Sequence, residues 1–268
     1  MHKNELTECD IVFVLYGYES DTLTWFKSSI SFFEANGYPL NFTDYLIDMG
    51  LRDKWQRKNV QRFFEIINEN PKFPFDEKSP LNILTDFDVF AAKNRKAMND
   101  AQYHYGCSFN QTEKRLELFF DTSYGVESIV KFCIAYLQTL LTEKSVWLGY
   151  SFATKQPSDF AFLQRDSTNY KEGGDRWNEE FARRQYYSKK QITQLMSQYR
   201  HIYIRNILSK THVEEVFDEV PLIEWVANNN YGVIEKIGME NWLWTVHEDK
   251  LHEVQMIFYE RGLLIGVE

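Results

Sequence analysis

Cysteine is scarce in this chain and badly spaced for chemistry: Cys9, Cys107 and Cys133 are scattered singly, with no Cys-x-x-Cys pair. An odd, dispersed set argues against a disulfide framework and against a zinc ribbon. Cys133 lies inside the apolar run "VKFCIAYL", where a thiol reads as a small buried hydrophobe. Long hydrophobic runs are also missing. The best one, "FCIAYLQTLL", is far short of the roughly 20 residues that span a bilayer. The first residues, "MHKNELTECD", carry Glu5, Glu8 and Asp10 where a signal peptide has its uninterrupted apolar core. No membrane association is therefore expected, and the cytoplasm is the expected address.

The familiar catalytic signatures are absent as well. There is no GxGxxG after a strand, no Walker A loop, no GxSxG elbow and no H-x-E with paired cysteines. "WTVHEDKLHEV" looks at first like a zinc-binding helix. That motif needs its histidines four apart, whereas His247 and His252 are five apart, about 140° around an ideal helix. With "NWLWTV" reading as a strand, His247 falls at a helix cap, Glu248 and Asp249 suit the first turn, and Leu251, Val254 and Phe258 supply the buried stripe. "KEGGDR", Lys171 to Arg176, reads as a turn rather than an anion cradle. Glu117 and Asp121 border the strand "RLELFFD" and are the residues a metal-dependent hydrolase or nuclease would use, the rival reading. No cofactor or metal is expected.

What the chain does have is rings and negative charge. Aromatics make up 16% of residues and the formal charge is −9, so direct binding to nucleic acid is disfavoured unless a basic patch is local. Basic clusters at Arg52, Lys54, Arg57 and Lys58, at Lys93, Arg95 and Lys96, and at Arg183, Arg184, Lys189 and Lys190 read as solvated surfaces paired with nearby acids.

The pattern of apolar residues points to an α+β fold with a mostly antiparallel sheet, or sheets, and helices packed on one face. "DIVFVLYGY" reads as a strand buried on both faces, followed by a helix through Leu23, Phe26, Ile30 and Phe33, capped by Ser20 or Asp21 and ended at Asn36-Gly37. A second helix is expected over Arg52 to Asn70, with Trp55, Phe63, Ile66 and Ile67 as its stripe. "RLELFFD" and "SVWLGYSFA" are strands flanking a helix through Val126, Ile129, Val130, Cys133, Leu137 and Leu140. The repeated strand–helix order suggests two related halves, residues 1–110 and 111–268, within one domain or two. Residues 152–190 form a polar excursion. After it come the strand "RHIYIRNIL", the short helix "VPLIEWVANNN", strands "GVIEKIG" and "NWLWTV", the last helix, and a further short strand in "LLIGVE".

Two acidic stretches stand out. From Thr211 to Ile234 there is no Lys or Arg, while Glu214, Glu215, Asp218, Glu219 and Glu224 crowd together. The excursion adds Asp166, Glu172, Asp175, Glu179 and Glu180, interleaved with Tyr170 and Trp177. Acids beside rings suit an interface with a basic protein: charge speeds encounter and rings anchor the complex.

From Arg200 to Glu268 the succession "RNIL", "THV", "LIEWV", "GVIEKI", "WLWTV" and a helix ending "RGLL", with Trp225, Trp244, Leu263 and Leu264 at core-type positions, resembles the immunity protein 52 family of bacterial polymorphic toxin systems. The resemblance implies a cytosolic, non-catalytic α+β protein that captures a cognate toxin, commonly a basic nuclease domain. The expected contact set is the two acidic stretches: Asp166, Tyr170, Glu172, Asp175, Trp177, Glu179 and Glu180, with Glu214, Glu215, Asp218 and Glu219.

Overall fold

The structure is a computed structural model and describes residues 10–48, 53–69, 83–92, 103–111, 114–154, 196–199 and 201–264. Its frame is one antiparallel sheet of ten strands, within an α+β architecture. In chain order the strands are β1 (Asp10–Tyr16), β2 (Phe42–Asp48), β3 (Asp53–Asn59), β4 (Ile83–Ala92), β5 (Tyr103–Asn110), β6 (Arg115–Asp121), β7 (Leu148–Thr154), β8 (Arg205–Ser209), β9 (Val216–Phe217), β10 (Val220–Pro221), β11 (Val233–Lys236) and β12 (Asn241–Thr245). The helices are α1 (Thr22–Ala35), α2 (Val60–Glu69), α3 (Val126–Leu140), α4 (Lys210–Val213), α5 (Leu222–Asn228) and α6 (Leu251–Glu260). The sheet runs β11-β12-β8-β7-β1-β6-β5-β4-β2-β3, and β9 with β10 form a separate hairpin.

β1 sits near the middle, paired with β6 on one side and β7 on the other. Its residues Ile11 to Tyr16 are all buried because the sheet is covered on both faces. Ile11, Phe13 and Leu15 point into a core formed with α1, α2 and α3. Val12, Val14 and Tyr16 point into a second core formed with α4, α5 and α6. This corrects the expectation of helices on one face: a strand with both alternations apolar needs a layer on each side.

Four rings pack together in the first core. Phe33 meets Phe132 and Tyr136 of α3 at 4.8 and 5.6 Å and stacks on Phe120 of β6 at 6.0 Å. The Ser29 and Tyr136 hydroxyls share a hydrogen bond of 2.6 Å, so the helices following β1 and β6 lock together over the sheet centre. The division expected after residue 110 falls in the turn joining β5 to β6, two strands that pair.

The helix expected over Arg52 to Asn70 is corrected too. Asp53–Asn59 is a strand paired with β2, and only Val60–Glu69 is helical. Asn59 marks the change: its side chain accepts from the Gln61 amide at 2.9 Å, satisfying an N–H in the first turn. Lys54, Arg57 and Lys58 thus lie on a strand rather than a helix.

Asn241 ties the two sides of the chain together. Fully buried at the start of β12, it accepts from the Val146 amide at 3.1 Å and donates to the carbonyls of Val146 and Leu208 at 2.9 and 3.1 Å. Replacing it with Ala deprives buried backbone groups of these partners, which should cost about 2 kcal/mol. A lowered urea midpoint with an unchanged denaturant slope is the expected result.

Candidate functional site

The acidic run after Thr211 folds into one compact unit: α4, the β9–β10 hairpin and α5. The hairpin joins its two-residue strands through Asp218 and Glu219, both with positive φ, 49° and 72°. That is the backbone of a type I′ turn, in which Asn, Asp and Gly are the usual occupants, so Asp218 suits its place and Glu219 does not. Asp218 is retained there by its own side chain. One carboxylate oxygen accepts from Trp225 Nε1 at 2.9 Å and the other from Arg261 at 2.5 Å. Arg261 also lies over the Phe217 ring at 4.7 Å, and Phe217 is buried against Trp225 and Phe258.

The four candidate acids have different surroundings. Glu214 is exposed and lies 3.7 Å from Lys210. Glu215 is half-buried; burial raises its carboxyl above the ordinary range, opposed by the charge of Arg261, and its Oε2 is buried with no hydrogen-bond partner. Asp218 is exposed, and its hydrogen bonds from Arg261 and then Trp225 hold its carboxyl below the ordinary range. Glu219 stands exposed beside it. The structure therefore brings these four onto one unit. Asp166, Tyr170, Glu172, Asp175, Trp177, Glu179 and Glu180, with the "KEGGDR" turn, lie outside the described residues.

Sequence reading missed the apolar members of the unit. Val216 is 64% exposed and Ile223 38% exposed, beside the exposed Glu224 in the first turn of α5. The available signal was alternation: in "EEVFDEVPLI" the buried Phe217 and Leu222 leave Val216 and Ile223 facing outward.

The rival carboxylates do not meet. Glu117 and Asp121 are four residues apart on one strand, roughly 13 Å along its axis, too far to share an ion. Glu117 is buried, 3.0 Å from Arg115 Nε, and accepts from Ser108 Oγ at 3.0 Å. Asp121 caps the helical turn Thr122–Tyr124 by accepting from the Ser123 amide. His247 and His252 are both exposed, the first at the cap of the turn Glu248–Lys250 and the second within α6. Among the described residues no group of three or more His, Cys, Asp or Glu side chains is placed to hold a metal ion. Burial pushes the thiols of Cys107 and Cys133 upward, away from the thiolate form that reacts.

His212 braces the unit from beneath. It is fully buried, its Nδ1 2.7 Å from Ser209 Oγ and its Nε2 3.2 Å from the Gln198 carbonyl, which fits a neutral ring donating from Nε2. Burial lowers its pKa to about 4, with the Gln198 bond opposing. The fold thus favours the uncharged ring. That contribution is whole above the unfolded value near 6.5 and is lost as pH falls toward 4. Glu215, raised by burial, responds in the opposite sense, so a comparison of variants is needed to isolate the histidine. The wild type should lose up to about 3 kcal/mol through this ring between pH 6.5 and 4, and His212→Gln should lack that part of the slope. Urea titrations across the interval read it directly.

No helix among the described residues is long and apolar enough to cross a membrane. No protein-family model, no curated protein and no solved structure matches this chain.

Proposed function

We propose that this chain is a cytoplasmic immunity protein that binds a cognate bacterial toxin, a basic nuclease, and neutralises it by stoichiometric capture without catalysis of its own. The observation that carries the reading is the exposed unit of α4, the β9–β10 hairpin and α5. It presents Glu214, Glu219 and Glu224 around the outward-facing Val216 and Ile223, and no Lys or Arg occurs from Thr211 to Ile234. Negative charge of this kind speeds encounter with a positive nucleic-acid cleft, and apolar contacts then slow release. The resemblance of the last third to toxin-immunity proteins supports the same reading.

Co-expression with the product of the adjacent reading frame tests it, scored by cell survival and co-purification. Rescue of growth with a one-to-one complex is expected. In that complex, combined Glu214→Lys, Glu219→Lys and Glu224→Lys should reduce the association rate about ten- to a hundredfold at low salt. Unchanged association kinetics would remove this surface from the interface.

A further inference from the structure

The acids of the hairpin divide into two kinds. Glu219 and Glu214 project outward, whereas both oxygens of Asp218 are engaged within the protein by Trp225 and Arg261. Arg261 comes from the end of α6, 43 positions downstream. Its guanidinium packs on Phe217, whose backbone pairs with Val220 across the turn, and its charge also reaches Glu215. Asp218 tolerates positive φ, but Glu219, at a position where glycine is usual, does not, so the turn is only half favoured by its own sequence. The clamp from α6 supplies what the local sequence lacks.

We propose that Asp218 and Arg261 are positioning residues, whose clamp holds the hairpin in the shape that delivers Glu214, Val216 and Glu219 to a cationic protein surface. The inference rests on the capture reading above and deepens it, because it assigns Asp218 a role different from that of its acidic neighbours. Preorganising a binding loop removes its ordering cost from the complex, so loss of the clamp speeds dissociation.

The two members of the clamp have opposite charge, which makes the inference separable from simple electrostatics. A contact governed by charge alone is weakened by Asp218→Asn and strengthened by Arg261→Met, since the partner is basic. A positioning role weakens binding in both. The test uses the full chain with the product of the adjacent reading frame as probe, and measures association and dissociation rates with amide exchange at Phe217 and Val220 in the free protein. Asp218→Asn and Arg261→Met should each dissociate about tenfold faster and show faster exchange in the hairpin, with thermal melting of the rest intact. Arg261→Lys should restore part of the loss, while Glu219→Lys should act on the association rate. Opposite effects of Asp218→Asn and Arg261→Met, or unaltered hairpin exchange in both, would overturn the positioning role and leave the capture reading standing. Failure of the wild type to bind the probe would overturn the capture reading itself and this inference with it, whatever the exchange data show.

Discussion

Glu117→Ala should destabilise the protein by about 3–5 kcal/mol. Glu117 lies on β6 close to the middle of the sheet, on the face covered by α4, α5 and α6 at the other end. Its side chain is 4% exposed and that of Arg115, two residues away on the same face, is 10% exposed. One carboxylate oxygen is 3.0 Å from Arg115 Nε and the other accepts from Ser108 at 3.0 Å. Removing the carboxylate takes away a counter-charge 3.0 Å from a desolvated guanidinium, which costs far more than the pair contributes. Replacing both members with apolar groups of similar size avoids that penalty. The double variant Arg115→Met with Glu117→Leu should recover most of the lost stability. Urea titration of the wild type, both single variants and the double closes a cycle, in which strong coupling is expected between the sites. A loss below 1 kcal/mol for Glu117→Ala would show that water reaches this position.

Much of the central frame was legible because its residues obey one period at a time. β1, α1, β6, α3, β7, α5, β11, β12 and α6 appear where apolar spacing placed them, whereas the strand expected over "RHIYIRNIL" begins only at Arg205 and neither α4 nor the β9–β10 hairpin was expected. β2, β4 and β5 were not legible. Their segments "FTDYLID", "DFDVFAA" and "YHYGCSFN" mix rings with acids and small polar groups, since one face meets the aromatic core while the other carries Asp44, Asp88 and Ser108 in a row across the sheet. At Arg52 to Asn70 the helical stripe of Phe63 and Ile67 was real, but Trp55 extended it by coincidence and hid the cap at Asn59. The candidate site was visible as charge and not as structure. An acidic stretch free of Lys and Arg can be read from a sequence; that Asp218 is claimed by an arginine on the last helix cannot, because the pairing is made by the tertiary fold.

Phe258→Ala should cost about 3–5 kcal/mol and should loosen the acidic hairpin more than any other part of the molecule. Fully buried on α6, Phe258 is the ring on which the second core converges. It meets Tyr199 at 4.8 Å, Phe217 at 5.0 Å, Trp244 at 5.7 Å and Trp225 at 6.3 Å. Two of those partners, Phe217 of the hairpin and Trp225 of α5, are buried residues of the unit, so the cavity opens directly beneath the proposed contact surface. Phe33→Ala gives the matching control, since Phe33 is equally buried but packs within the first core, against α3, β5 and β6. Both variants should lower the urea midpoint by similar amounts. Amide exchange at Phe217 and Val220 should rise well beyond the rest of the sheet in Phe258→Ala, and not in Phe33→Ala. At temperatures where both variants remain folded, partner binding should weaken selectively in Phe258→Ala, although the substituted ring is inaccessible to any partner. Equal loss of binding in the two variants would mean that the cores act as one cooperative unit, with no separate control of the hairpin by α6.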